Sequence, residues 1–169
     1  MRALTSLITC VLLAACSPDP QGDTSAPAQE APLESAQAED KDDDAPEGTL
    51  VQSPNPGSPE AILQGVIAAA MYPDEAAGWK ALRALLHSSI KSPRALTSYR
   101  EMNYAASRRK VKLFTPDDTK PYFRVVSRSE LSKDKLKLFV HNEKSMPTPC
   151  TLKRDPEAEN AWRVYVCSL

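Results

Sequence analysis

Apolar positions fall into three patterns along the chain. Residues 4–15 are almost continuously apolar, with Leu4, Leu7, Ile8, Val11, Leu12 and Leu13. Residues 17–57 hold few aliphatics (Leu33, Leu50, Val51) and no aromatics. From residue 58 the apolar positions return with a period. Ile62, Leu63, Val66, Ile67, Ala70 and Met71 recur at helical spacing. Ser58-Pro59-Glu60 opens this helix: Ser can cap it, Pro suits the first turn, and the acid meets the positive end of the dipole. Pro73 stops it, and Asp74 caps a second helix with Trp79, Leu82, Leu85 and Leu86 on one face. Gly78 lies inside that helix and should weaken it by about 1 kcal/mol relative to Ala. Ser92-Pro93 starts a third helix carrying Leu96, Tyr99, Met102 and Asn103.

The period changes after Ser107. Segments near 110–114, 121–128, 135–141, 150–154 and 161–167 are short, partly alternating and rich in Val, Phe, Tyr and Leu. Turns separate them at Pro116-Asp117-Asp118, at Ser132-Lys133-Asp134, over 142–149 and over 155–160. Met146-Pro147-Thr148-Pro149 reads as a rigid loop. Helices followed by strands predict an α+β fold: two to three N-terminal helices packed on a curved antiparallel sheet of four to five strands.

Composition divides the chain at the same places. Of its 169 residues, 1–15 form one piece, 16–57 a second and 58–169 a third. The last piece, of about 112 residues, suits one domain with one core. Residues 17–57 contain seven prolines and the acidic run Glu39-Asp40-Lys41-Asp42-Asp43-Asp44. Such a stretch cannot bury enough surface to fold and reads as a tether. Its span would be about 35 Å if flexible. The net charge of −1 hides an asymmetry. Ten acids face one Lys over 17–57, while nineteen Lys and Arg face twelve acids over 58–169. The acid run is usually just solvated; docking on the basic domain, or binding a cation, is the functional alternative. The asymmetry is either an ordinary scatter of surface charge or a sign of an anionic partner.

The amino terminus carries the sharpest signal. Arg2 precedes an apolar run too short to span a bilayer, which needs roughly 20 apolar residues. It reads as a signal-peptide core. Leu13-Ala14-Ala15-Cys16 resembles the lipobox of bacterial lipoproteins: an aliphatic residue, two small residues, then Cys. The resemblance implies diacylglycerol on the Cys16 sulfur, cleavage between Ala15 and Cys16, and acylation of the new amino group. Ser17, in place of Asp, implies export to the outer membrane where that sorting rule operates. A membrane held through lipid on Cys16 is thus the first expected partner.

Cys10 would leave with the signal peptide, so Cys150 and Cys167 remain. Pairing the last two strands about a turn between Ala158 and Glu159 sets 154 opposite 163, 152 opposite 165 and 150 opposite 167. Cysteines opposed in this way can form a disulfide, and an oxidising compartment favours one. In this register Pro149 lacks its donor only beyond the end of the last strand. A redox pair or a metal site is the rival reading, but there is no CxxC and no His close in sequence to either Cys.

The order of elements over 58–169 resembles the nuclear-transport-factor-two-like, or SnoaL-like, cone. There an opening helical part closes over a curved sheet. Ser58-Pro59-Glu60, Trp79 in the second helix and Trp162-Arg163-Val164 in the last strand carry the resemblance. It implies a pocket into which side chains can point. One departure is that the family usually places a strand between its second and third helices, and only Ser88 to Lys91 is available here.

Two histidines exist, His87 at a helix end and His141 at a strand end. Each is a pocket candidate, against the plainer reading of a partly exposed surface His. No nucleophile elbow, phosphate loop, HExxH or paired carboxylate stands in a persuasive context, so no catalytic residue, cofactor or metal is assigned. The run Ser107-Arg108-Arg109-Lys110-Val111-Lys112 could meet anionic envelope polymers, or be a solvated helix end leading into an edge strand. Export argues against nucleic acid. The sequence therefore predicts a lipid-anchored envelope protein whose domain binds a small ligand or an envelope protein. The alternatives are a small enzyme using the cone's pocket and a binder of anionic envelope polymers.

Overall fold

The computed structural model describes residues 48–169. The apolar leader, the cleavage site at Ala15 and Cys16, and the acidic run 39–44 lie outside the described residues. The elements in chain order are β1 (Thr49–Val51), α1 (Pro59–Met71), α2 (Glu75–Leu85), α3 (Pro93–Ser98), α4 (Ala105–Lys110), β2 (Phe123–Ser132), β3 (Lys135–Asn142), β4 (Ser145–Asp155) and β5 (Ala161–Cys167). The fold is α+β, with the helices packed against one five-stranded antiparallel sheet in the order β1-β2-β3-β4-β5. The sheet does not close. Among the described residues no helix is long and apolar enough to cross a membrane.

The three helix starts lie where the capping residues place them. The Ser58 hydroxyl accepts from the Ala61 amide at 3.1 Å, the Asp74 carboxylate from Ala77 at 2.6 Å, and the Ser92 hydroxyl from Ala95 at 3.4 Å. Each cap satisfies a donor that the helix itself leaves open. The third helix is longer than the sequence pattern implies. It passes through a π-helical segment, Tyr99–Tyr104, into α4. Tyr99 packs on the core and Tyr104 is buried within it, five residues apart. The i→i+5 winding brings both to one side.

Three expectations fail, each for a physical reason. The strand expected near 110–114 is instead the end of α4 and a 3₁₀ turn, Val111–Leu113. Val111 and Phe114 are both buried, and their three-residue spacing is that of a helical turn. The fifth strand comes from the stretch expected to be tether. Thr49–Val51 pairs with Phe123–Val125, using Leu50 and Val51, two of the few aliphatics there. The folded part thus begins upstream of Ser58. Finally, 146–149 is strand, not loop. Phe139 faces Pro149 and Val140 faces Thr148. The Pro149 carbonyl accepts from the Ser168 amide at 3.4 Å, so the side of β4 where its proline lacks a donor faces the chain just past the end of β5.

Cys150 and Cys167 are opposite each other and disulfide-bonded. The register beyond them differs from a plain ladder. Thr151 still faces Val166, but Leu152 faces Val164 and Arg154 faces Trp162, with a register shift between. The extra residue on β5 is Tyr165. Trp162, Val164 and Cys167 are all buried, and strict alternation cannot bury both 164 and 167. A β-bulge resets the phase.

Gly78 is a contact position. A Cβ there would run into the Tyr104 hydroxyl and the Ala69 carbonyl oxygen. The single Tyr104 hydroxyl proton is shared between the Ala69 carbonyl at 3.3 Å and the Glu75 carbonyl at 3.2 Å, joining the end of α1 to the start of α2. Gly78→Ala should therefore lower stability by about 1–3 kcal/mol in denaturant titration, as overpacked cores do. A gain of about 1 kcal/mol, the propensity value, would show that this contact is loose. The bridge closes a sequence separation of 17 residues. Replacing both cysteines by Ala should cost about 3 kcal/mol, read as a lower melting temperature.

Candidate functional site

After α2 the chain crosses to the sheet. Leu86 forms a parallel bridge with Val164, and the His87 amide donates to the Val164 carbonyl at 2.8 Å. His87 is only 4% exposed. Its Nδ1 accepts from the Ser89 amide at 3.1 Å and lies 2.9 Å from the Ser89 hydroxyl. Its Nε2 lies 3.2 Å from the Arg154 carbonyl. A carbonyl only accepts, so the proton sits on Nε2 and both ring nitrogens are engaged. His87 is neither an exposed helix-end residue nor a free acid/base. It caps the 3₁₀ turn Ser88–Ile90 and fastens that turn to the β4–β5 hairpin.

Asp155 completes this clasp and is 1% exposed. Its carboxylate accepts from the Ser88 amide and the Ser88 hydroxyl, both at 2.8 Å, and from the Glu157 amide at 3.1 Å. Burial pushes its carboxyl up, but the hydrogen bonds from Ser88 and Glu157, with the nearby His87 ring, outweigh it. The net shift is below the ordinary carboxylate value. A cleft of about 370 Å³ lies beside the clasp, bordered by His87, Asp134, Lys153, Arg154 and Glu157.

His141 takes a different position. With Arg124, Glu143 and the buried Phe114 and Thr115 it borders a recess of about 210 Å³. The Glu143 amide donates to the Leu113 carbonyl at 3.1 Å, which holds the β3–β4 turn against the 3₁₀ turn. The fold does not bring the two histidines to one cavity. Among the described residues no group of three or more His, Cys, Asp or Glu is placed to hold a metal ion.

The basic run 107–112 does not act as a block. Arg108 donates to the Tyr72 carbonyl at 2.6 Å and the Pro73 carbonyl at 3.3 Å, covering the open carbonyl end of α1. Lys112 pairs with Asp118 at 2.8 Å. Ser107 turns inward, donating to the Leu169 carbonyl at 2.8 Å.

The basic feature that the sequence reading missed lies on the sheet. In β3, Leu136, Leu138 and Val140 are buried while Lys135, Lys137 and Phe139 alternate with them and are half-buried. Lys135 faces Lys153 across the ladder, and Lys153 faces Arg163. The Tyr165 ring lies near two ammonium groups, 5.4 Å from Lys135 and 5.7 Å from Lys153. The signal was present in Lys-Leu-Lys-Leu-Phe-Val, whose polar phase is cationic.

Asp155→Asn should cost about 1–3 kcal/mol at neutral pH, since it weakens acceptors that serve buried donors. A depressed carboxyl contributes stability above its unfolded value, and that contribution is lost as the pH falls through the folded one. The gap between wild type and Asp155→Asn should therefore narrow below about pH 4. Urea titrations at neutral and acid pH check this, and a constant gap refutes it. No family profile, characterised protein or solved structure matches the chain.

Proposed function

We propose that this chain is a bacterial envelope lipoprotein, anchored through lipid on Cys16, whose folded part is a small binding domain and not an enzyme. The observation that carries it is the sequence Leu13-Ala14-Ala15-Cys16 directly after an apolar run. The Cys150–Cys167 disulfide supports it independently, because such bonds persist in oxidising compartments outside the cytosol. On this reading the protein sits in the outer membrane, tethered by the acidic stretch before β1. Multiple acyl chains make such an anchor stable, since one chain alone binds only marginally.

The binding reading is also supported by the fate of the histidines. His87, the more buried one, is occupied in holding the fold together. A second reading, a small enzyme working through His141, has one observation behind it: the recess shared with Glu143 and Arg124. Its volume of about 210 Å³ is below the usual range of ligand pockets, roughly 300–1,000 Å³. The likeness to the nuclear-transport-factor-two-like cone stays part of the proposal. Helices before the four strands β2–β5, and the bridge that Leu86 makes with Val164 after the second helix, support it. The open sheet, a β2–β5 meander with β1 added at its edge, argues for a shallower sheet than a closed cone.

The test of the anchor is metabolic labelling with a radioactive fatty acid. Wild type should incorporate label and sediment with membranes. Cys16→Ser should lose both, and unchanged labelling would overturn the assignment.

A further inference from the structure

The solvent face of the sheet holds Lys135, Lys137, Lys153 and Arg163, and none of them takes part in an ion pair among the described residues. Three of them form one cross-strand row, Lys135–Lys153–Arg163. Like charges directly opposite each other destabilise a sheet. The row is held together in part by the Tyr165 ring, whose face attracts two of the ammonium groups. Lys137 likewise lies 5.8 Å from the Phe139 ring. Arg163 spends one guanidinium nitrogen on the Trp162 carbonyl at 3.0 Å, while its Nε is buried without a partner. The repulsion within the row would be relieved by an anionic surface laid against it.

We infer that this face docks on an anionic phospholipid bilayer. The row is three strands wide, about 10 Å at the usual strand spacing, and presents charge as a plane. Phe139 and Tyr165 lie among the cations, and rings beside Lys stems suit the level of the lipid head groups. The proposal rests on the anchored reading for the nearness of a bilayer; the charge of the face does not depend on it. Lipid on Cys16 would hold the domain within the tether's reach, and the basic face would turn the sheet toward the surface. The site is distinct from the run 107–112, which lies on α4 and the 3₁₀ turn and not on the sheet.

Each Lys or Arg held at an anionic bilayer contributes about fivefold to affinity. The test uses residues 16–169 carrying Cys16→Ser, so that no acyl chain contributes. Co-sedimentation with phosphatidylcholine vesicles should be weak, and phosphatidylglycerol in the vesicles should strengthen it at least tenfold. Added salt should reverse the gain. Lys135→Gln/Lys153→Gln/Arg163→Gln should weaken binding roughly a hundredfold. Lys80→Gln/Arg83→Gln/Lys91→Gln removes equal charge from exposed positions outside the sheet and should weaken it less than about fivefold. Lys135→Arg/Lys153→Arg/Arg163→Lys should bind like the parent. If the first triple variant unfolds, Lys137→Glu alone decides, with a loss of about fivefold or more expected. Equal losses in both Gln triples, or no preference for phosphatidylglycerol, would overturn the proposal. So would release by dextran sulfate at equal charge, which would assign the face to a soluble polymer. Failure here leaves lipid labelling at Cys16 untouched, and failure of labelling leaves vesicle binding untouched.

Discussion

The sheet has a core side and a water side, and most of the structure follows from that. Strands covered on one face alternate, because successive side chains point to opposite sides. Phe123, Leu136, Leu138, Val140, Leu152 and Val164 all serve the core side. The other side must tolerate water, and this chain places Lys135, Lys137, Lys153 and Arg163 there among Phe139, Tyr165 and small polar residues such as Ser129 and Thr151. The same constraint sets the disulfide. Cys150 is in phase with Leu152, so its partner must also reach the core side. Cys167 does so only because one extra residue in β5 breaks the alternation after Val164.

The second constraint lies at the sheet's far edge. The chain leaving α2 must bury polar backbone where Leu86 and His87 meet β5, and each buried group needs a partner. The Val164 carbonyl takes the His87 amide, and the Asp155 carboxylate and the His87 ring take the Ser88 and Ser89 amides that follow. A histidine so engaged is a structural element. Its ring nitrogens have no capacity left for a substrate.

Legibility in the sequence tracked how local each cause was. Helix starts were readable because Ser58, Asp74 and Ser92 act within three residues. The disulfide pairing was readable because the two strands are joined by one short turn. The bulge was readable in principle. Trp162, Val164 and Val166 keep one phase while Cys167 belongs to the other, so bridging Cys167 to Cys150 requires an extra residue. A plain ladder ignores that conflict. The strand at Thr49–Val51 was not readable, since three residues in a proline-rich stretch show no period and owe their form to the edge of β2. The roles of His87 and Arg108 were hidden for the same reason. Their partners lie at Arg154 and at Tyr72, remote in sequence.

Gly78 shows how tertiary packing reverses a local rule. Taken alone, a glycine in a helix is a weakness of about 1 kcal/mol. In the fold it is where the Tyr104 hydroxyl crosses to reach the carbonyls of Ala69 and Glu75. The phenol satisfies backbone acceptors at the junction of α1 and α2, and Arg108 covers the next two, at Tyr72 and Pro73. The turn between the first two helices is therefore held by side chains from the third helical segment, whose Tyr104 hydroxyl occupies the space a Cβ at residue 78 would need. The helical layer is one cooperative unit on this account. Arg108 is committed to that unit, while Lys135, Lys137 and Lys153 on the sheet's water side have no ion-pair partner among the described residues. The charge available to a partner is thus set less by the count of Lys and Arg than by which of them the fold has left without other work.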